Sequence, residues 1–263
     1  AAGMVGAYAV PMNWHFTADE AGYILRDCAA KVLVVHADLL PQIADGIPST
    51  TRVFVVPTPA EIAAAYHVAD AVAALPCGSH AWSDFVAASA PLAVPPKISR
   101  GSMIYTSGTT GRPKGCVLTH EYELLAGQAY ATRGGLAAVH EGEDRVYNAL
   151  PLYHVNASIL SFFGMLLTGG CQIQGERFQP TRFWTEVRES RATIVHYLGV
   201  VVPLLLGQPP GPQDRDHRVR FGWGAGVEPQ YLDAAFAAMA ERCGSVDGYL
   251  EQVLGLDGAL RER

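Results

Sequence analysis

Tyr105-Thr106-Ser107-Gly108-Thr109-Thr110-Gly111-Arg112-Pro113-Lys114-Gly115 is a loop of hydroxyls and glycines closed by a lysine. Glycines let backbone N–H groups come close to an anion, and Ser and Thr hydroxyls add donors. Lys114 supplies a full positive charge, and Arg112 can supply another. Ahead of the loop, residues 101–104 form a short apolar run that reads as a strand. Behind it come Cys116, Val117 and Leu118, and then Thr119, an N-cap for a helix expected to run to about Arg133 and stop at Gly134-Gly135. The stretch reads as a phosphate cradle. It is not a Walker A loop, because two residues separate Gly108 from Gly111 and Lys114 is followed by Gly115.

Outward from the loop, helix-like and strand-like segments alternate. Thr17 and Glu20 have the spacing of a capping box, which predicts a helix to about Cys28. Residues 31–35 and 51–56 read as buried strands. Residues 57–98 read as helix, loop, a short helix over 82–88, and a proline-bounded linker from Pro91 to Pro96. On the far side, strands are expected over 145–150, 171–173, 193–197 and 219–223. Helices are expected over 156–168, 180–190 and 229–242, the last with Pro229 in its first turn. This alternation predicts an α/β fold with largely parallel sheets flanked by helices. Ligands in such folds sit at the carboxyl ends of strands, where the loop would lie. The expected division is a first lobe over 1–150, which carries the loop, and part of a second lobe over 151–263.

Composition narrows the function classes. The chain has 263 residues, 49% of them hydrophobic, which is enough for one large domain or two lobes with real cores. A net charge of −6, with Asp216 inside the basic run 215–220, argues against nucleic acid as a partner. Five cysteines, far apart and with no C-x-x-C pair, suggest neither a disulfide framework nor a zinc site and fit a reducing cytoplasm. The nine histidines form no H-x-x-x-H pair, so no metal ligands are assigned. The longest apolar runs are too short for a membrane span. The sequence opens abruptly at Ala1, and this is read as part of something longer.

The loop resembles the phosphate-binding signature of the adenylate-forming enzymes: acyl-CoA synthetases, luciferases and peptide-synthetase adenylation domains. Other segments match that family in order. Gly6-Ala7-Tyr8-Ala9-Val10-Pro11-Met12-Asn13 is similar to its early segment, and residues 17–34 to the helix and strand that follow. Leu150-Pro151-Leu152-Tyr153-His154, extended by Val155-Asn156-Ala157, resembles the acyl-CoA and carnitine-type CoA ligases. Arg177-Phe178, Phe183-Trp184 and Gly224-Ala225-Gly226-Val227 complete the series, so the resemblance runs to about Arg242.

The resemblance implies the large N-terminal domain of such an enzyme, in part, with its small C-terminal domain absent. It implies ATP-dependent activation of a carboxylic acid to an acyl-adenylate, and then thioester formation with CoA. Thr106, Ser107, Gly108, Thr109, Thr110 and Gly111 would hold the β- and γ-phosphates, and Lys114 would neutralise the leaving pyrophosphate. Mg²⁺ would bridge phosphate oxygens. Gly224, Ala225 and Gly226 would border adenine and the acyl chain. A lone histidine beside an apolar helix is as a rule a satisfied core residue. The matched motif instead puts His154 near the acyl pocket and the carboxylate. The implied partners are a small carboxylic acid, ATP and CoA, in a protein that can be homodimeric. Two departures stand out. Asp247-Gly248-Tyr249-Leu250-Glu251 lacks the second glycine and the threonine of the family's adenine and metal segment, so Glu251 is not assigned. Its later aspartate, hinge and lysine have no match. The isolated chain is therefore expected to form negligible thioester, and a non-catalytic nucleotide- or acyl-binding remnant is the alternative.

Overall fold

Thr17 begins the first helix as the spacing predicts. Its backbone N–H donates to Glu20 Oε2 at 2.9 Å while the Glu20 amide donates to Thr17 Oγ1 at 3.4 Å. In the computed structural model of the protein, residues 2–91, 94, 98–106, 111–176, 178–225 and 229–252 are described. Helix α1 covers Ala18–Asp27, followed by β1 (Val32–His36), α2 (Leu40–Ile43), β2 (Arg52–Val56), α3 (Ala60–Tyr66), α4 (Asp70–Ala73), β3 (His80–Ala81) and α5 (Trp82–Ala88). Strands β1, β2 and β3 form a parallel sheet in that order, with Val34 opposite Phe54 and Phe54 opposite His80. Ala21 and Leu25 of α1 bury against Leu33, Val35 and Ile43. Val32 and Val34 alternate onto the other face and are exposed.

The phosphate loop departs from the expected strand-loop-helix order. Strand β4 (Met103–Thr106) runs into the loop, and the chain returns along β5 (Lys114–Val117) as an antiparallel partner. Only then does helix α6 (His120–Ala131) start, with Thr119 Oγ1 accepting from the Tyr122 amide at 3.1 Å. The run Cys116–Leu118 was too short to be read as a strand of its own, and its partner lies on the other side of the loop. Gly115 makes the pairing possible, because a Cβ there would come within 3.0 Å of both Met103 Sδ and the Tyr105 ring. The early segment lies alongside, with the Met103 amide donating to Ala9 O at 2.9 Å in a parallel bridge.

Beyond α6 come β6 (Arg145–Asn148), a π-helical turn over Asn156–Ser161 that leads into α7 (Phe162–Leu167), β7 (Cys171–Gln174), α8 (Pro180–Glu189), β8 (Ile194–Leu198), α9 (Val201–Leu206), β9 (Phe221–Ala225), α10 (Pro229–Cys243) and α11 (Val246–Gln252). Strands β7-β6-β8-β9 form a second sheet, parallel throughout. Its two faces have separate cores. Tyr147, Phe183, Val187, Val195 and Val201 fill one, beneath α8 and α9. Tyr130, Val146, Met165 and Ile194 fill the other, beneath α6 and α7. This gives the α/β architecture of parallel sheets flanked by helices, with one antiparallel hairpin set into it.

Helices α6 and α7 meet through glycine. A Cβ on Gly127 would lie 2.4 Å from Phe163 Cβ, and one on Gly164 would lie 2.6 Å from the Tyr130 ring. Each helix thus accepts an aromatic-bearing turn of the other at a point without side chain.

Candidate functional site

The β4–β5 ladder fixes the two ends of the glycine-rich loop. Thr106 pairs with Lys114 and Tyr105 with Gly115, so the two ends of the loop stand side by side. Thr106, Gly111, Arg112 and Lys114 are exposed to solvent. Gly111 has φ +149°, a conformation that side chains rarely adopt. Ser107, Gly108, Thr109 and Thr110 lie outside the described residues.

Helix α1 supports the hairpin through residues that the sequence did not mark. Tyr23 Oη donates to Pro113 O at 3.0 Å, and the Arg112 guanidinium carbon lies 5.2 Å from the centre of the Tyr23 ring. Tyr105 Oη donates to Asp27 Oδ2 at 2.6 Å. Partial burial and this carboxylate both push the Tyr105 hydroxyl pKa upward, so it stays a neutral donor. Behind the hairpin, buried Glu123 of α6 accepts from the Ser102 amide at 2.9 Å and from Ser102 Oγ at 2.7 Å. Its other oxygen lies 3.1 Å from His120 Nδ1. The base of β4 is thereby tied to the first turn of α6.

The second group of expected residues sits at the carboxyl end of the second sheet. His154 follows β6 after a short loop, is exposed, and has the Tyr153 ring centred 4.6 Å away. Partial desolvation lowers its pKa, so it is neutral at physiological pH. His154 O accepts from the amides of Ala157 and Ser158 at 3.2 Å each and from Ser158 Oγ at 2.9 Å, which ties His154 to the residues that open the π-helical turn. It is not a core histidine.

Gly224 and Ala225 end β9, while Gly226 lies outside the described residues. Gly224 is needed because the Tyr197 ring of β8 covers it, within 2.7 Å of where a Cβ would stand. Thr106 and Lys114 are thus brought together on one hairpin, and His154 and Gly224 on one sheet edge, separated by β8.

A buried polar row escaped the sequence reading. Asn148, His196 and Trp223 stand in register on β6, β8 and β9. Asn148 is fully bonded, but His196 Nδ1, Tyr130 Oη and Arg133 Nε are buried without a partner. Burial, with the Arg133 charge as the second cause, pushes His196 down to about 4. The guanidinium carbon of Arg133 lies 3.0 Å from the centre of the Trp223 ring. No sequence spacing signals this cluster, since its members come from three strands and from the end of α6.

Hydroxyls, glycine backbone and cations suit a polyphosphate. Among the described residues no group of three His, Cys, Asp or Glu side chains is placed to hold a metal ion, and no helix is long and apolar enough to cross a membrane.

Residues 1–249 match the family described as AMP-binding enzyme. The chain is 33% identical over 228 residues to the medium/long-chain-fatty-acid–CoA ligase FadD6 of Mycobacterium tuberculosis, covering 87% of this chain and 35% of that one. It is 27% identical over 266 residues to the crotonobetaine/carnitine–CoA ligase of Shigella dysenteriae, covering 97% and 48%. Among solved structures it resembles the anthranilate CoA ligase AuaEII in complex with anthranoyl-AMP, with TM-score 0.69 and 21% identity over 92% of this chain and 44% of that one. At that identity the likeness speaks for the fold. The chain spans between about a third and a half of the length of these proteins.

Proposed function

The chain belongs to the AMP-binding enzyme family, and from that premise we propose that it takes part in ATP-dependent activation of a carboxylic acid, through an acyl-adenylate, to a CoA thioester. The observation that carries the reading is the pairing of Thr106 with Lys114 across the hairpin. It sets a hydroxyl and an exposed ammonium at the two ends of a glycine-rich loop.

In the first step the acid's carboxylate oxygen forms a bond to the α-phosphorus of ATP. The bond to the bridging oxygen breaks, and pyrophosphate leaves with the electron pair. Nucleotidyl transfer of this kind depends on positioning and charge neutralisation. Lys114 is proposed to neutralise the departing pyrophosphate, with Thr106, Ser107, Thr109, Thr110 and the glycine amides bonding its oxygens. In the second step the CoA sulfur bonds to the acyl carbonyl carbon, its proton passes to solvent, and the bond from that carbon to the phosphate oxygen breaks as AMP leaves with the electron pair.

His154 is proposed to stand beside the carboxylate. Neutral imidazole there orients the acid by a hydrogen bond without pairing to it as an ion. Gly224, Ala225 and Gly226 are proposed to border the adenine and the acyl chain. Mg²⁺ would arrive with the nucleotide, bound by phosphate oxygens. The acid is proposed to be aliphatic or aryl, in keeping with the apolar residues 156–167 and 199–206 near the sheet edge. Its relatives' names include fatty-acid–CoA and carnitine–CoA ligases.

The test is exchange of labelled pyrophosphate into ATP. Exchange that depends on added acid, weak in the isolated chain, and lower again in Lys114→Ala is expected. Exchange independent of the acid, or unchanged in Lys114→Ala, would overturn the proposal.

A further inference from the structure

One continuous chain of side chains lies under the His154 segment. Asn148 Nδ2 donates to Ser161 Oγ at 2.8 Å, and Ser161 Oγ lies 2.9 Å from Gln172 Oε1. Gln172 Nε2 donates to Ala157 O at 3.1 Å and to Gln174 Oε1 at 3.0 Å. Gln174 Nε2 donates to Leu150 O at 2.8 Å, and the Leu150 amide donates to Asn148 Oδ1 at 2.9 Å. The chain therefore closes on itself through β6, the π-helical turn and β7. It grips the His154 segment at both ends, at Leu150 and at Ala157.

Ser161 is the hub of this chain. Its hydroxyl has one proton, and the nearest acceptor is Gln172 Oε1; Asn156 O at 3.1 Å is the next. Asn148 and Ser161 have no exposed surface, so the chain is sealed from water where it crosses the π-helical turn. Single π turns inside α-helices are rare and concentrate at functional sites. Here the side chains of β7 take up a carbonyl of the widened turn. Apolar residues at 172 and 174 could not supply these donors. The pair Gln172 and Gln174 shares one face of β7 at the strand's two-residue period.

Resting on the acid-site reading above, we infer that Ser161, Gln172 and Gln174 are positioning residues for the acid site: they hold the π-helical turn in register and so fix where His154 stands. Removing a donor lets the turn relax toward a regular helix and moves His154 relative to the crevice.

The experiment follows the His154 imidazole by NMR titration in the chain and in Gln172→Met, Gln174→Met and Ser161→Ala, with His154→Gln to assign its signal. The pKa of His154 is expected to rise toward the ordinary histidine range in Gln172→Met and Gln174→Met, and amide exchange over residues 155–162 to speed up at least about tenfold, while exchange elsewhere stays unchanged. A variant that merely loses stability would speed exchange throughout and leave the His154 titration of its folded form where it was; that result in both glutamine variants overturns the inference. Ser161→Ala is read beside them because it removes the hub without touching β7. Decanoate with ATP, added to the unsubstituted chain, is expected to move the His154 signal. No movement there would overturn the acid-site reading, and is separable from the variant series.

Discussion

Thr106 and Lys114 face each other across the β4–β5 ladder, so the two ends of the glycine-rich loop are held about one strand spacing apart, roughly 5 Å. The ammonium is thereby anchored to a strand and not left on a free loop. Lys114→Ala is expected to weaken ATP binding by about tenfold or more, as read by calorimetry. The melting temperature should stay within about a degree of the parent, since the side chain is exposed. Equal affinity would remove Lys114 from the phosphate site.

The crossing of α6 and α7 offers a test of the fold that is independent of any ligand. Gly127→Ala places a methyl 2.4 Å from Phe163 Cβ. Neither helix can yield without disturbing Tyr130 and Met165 beneath it. A loss of about 1–3 kcal/mol is expected in urea unfolding. Gly134→Ala, at a position open to solvent with nothing near its Cβ, should change stability far less.

His196 sets a pH dependence. Its imidazole is buried, and burial together with Arg133 brings its pKa to about 4, below the ordinary value near 6.5. The folded state therefore favours the neutral ring. The stability tied to this preference is complete above about pH 6.5 and is lost as pH falls from there toward 4. The loss should be on the order of 3 kcal/mol. His196→Phe should flatten that slope in denaturant midpoints measured between pH 6.5 and 4, and a slope unchanged by the substitution would refute it.

Asp144 acts lower on the pH scale. Burial would raise its pKa, but Arg220 at 2.5 Å, the His140 amide and Thr193 Oγ1 together bring it below the ordinary carboxylate range. Its contribution is present above about pH 4 and disappears as pH falls through the lowered value. Asp144→Asn should cost about 1–3 kcal/mol at neutral pH, because the buried side chain loses its charge-assisted bonds to Arg220, the His140 amide and Thr193 Oγ1. Measured by urea unfolding, the deficit should shrink in acid.

Local signals in the sequence were read well. The Thr17 and Glu20 spacing gave a capping box, and residues 82–88 gave α5 at its observed bounds. Gly169, with φ +65°, stops the helix after the π-helical turn as expected. What escaped was long-range. Nothing near Tyr105 announces that Asp27 will accept its hydroxyl, and the partner strand of residues 103–106 lay hidden behind a loop. Apolar content marks residues 204–206 as core, yet in α9 Leu204 and Leu206 are exposed, and Val201, the helix's first residue, is the one that buries beneath α8. The π turn could not be foreseen because residues 156–168 have the apolar content of an ordinary helix. Its support comes from Gln172 and Gln174 on another strand. For the candidate site, motif order singles out Lys114 and His154, whereas Tyr23, Tyr197 and the buried row around His196 carry no local signal and depend on tertiary neighbours.

The bonds from Tyr23 to Pro113 and from Tyr105 to Asp27 have a consequence for anyone wishing to move this loop between proteins. The hairpin leans on α1 at β4 and just ahead of β5. Grafted alone, it would keep its sequence and lose its brace. The transplantable unit is the hairpin together with the helix that begins at Thr17, two stretches far apart in the gene that must be exchanged as a pair.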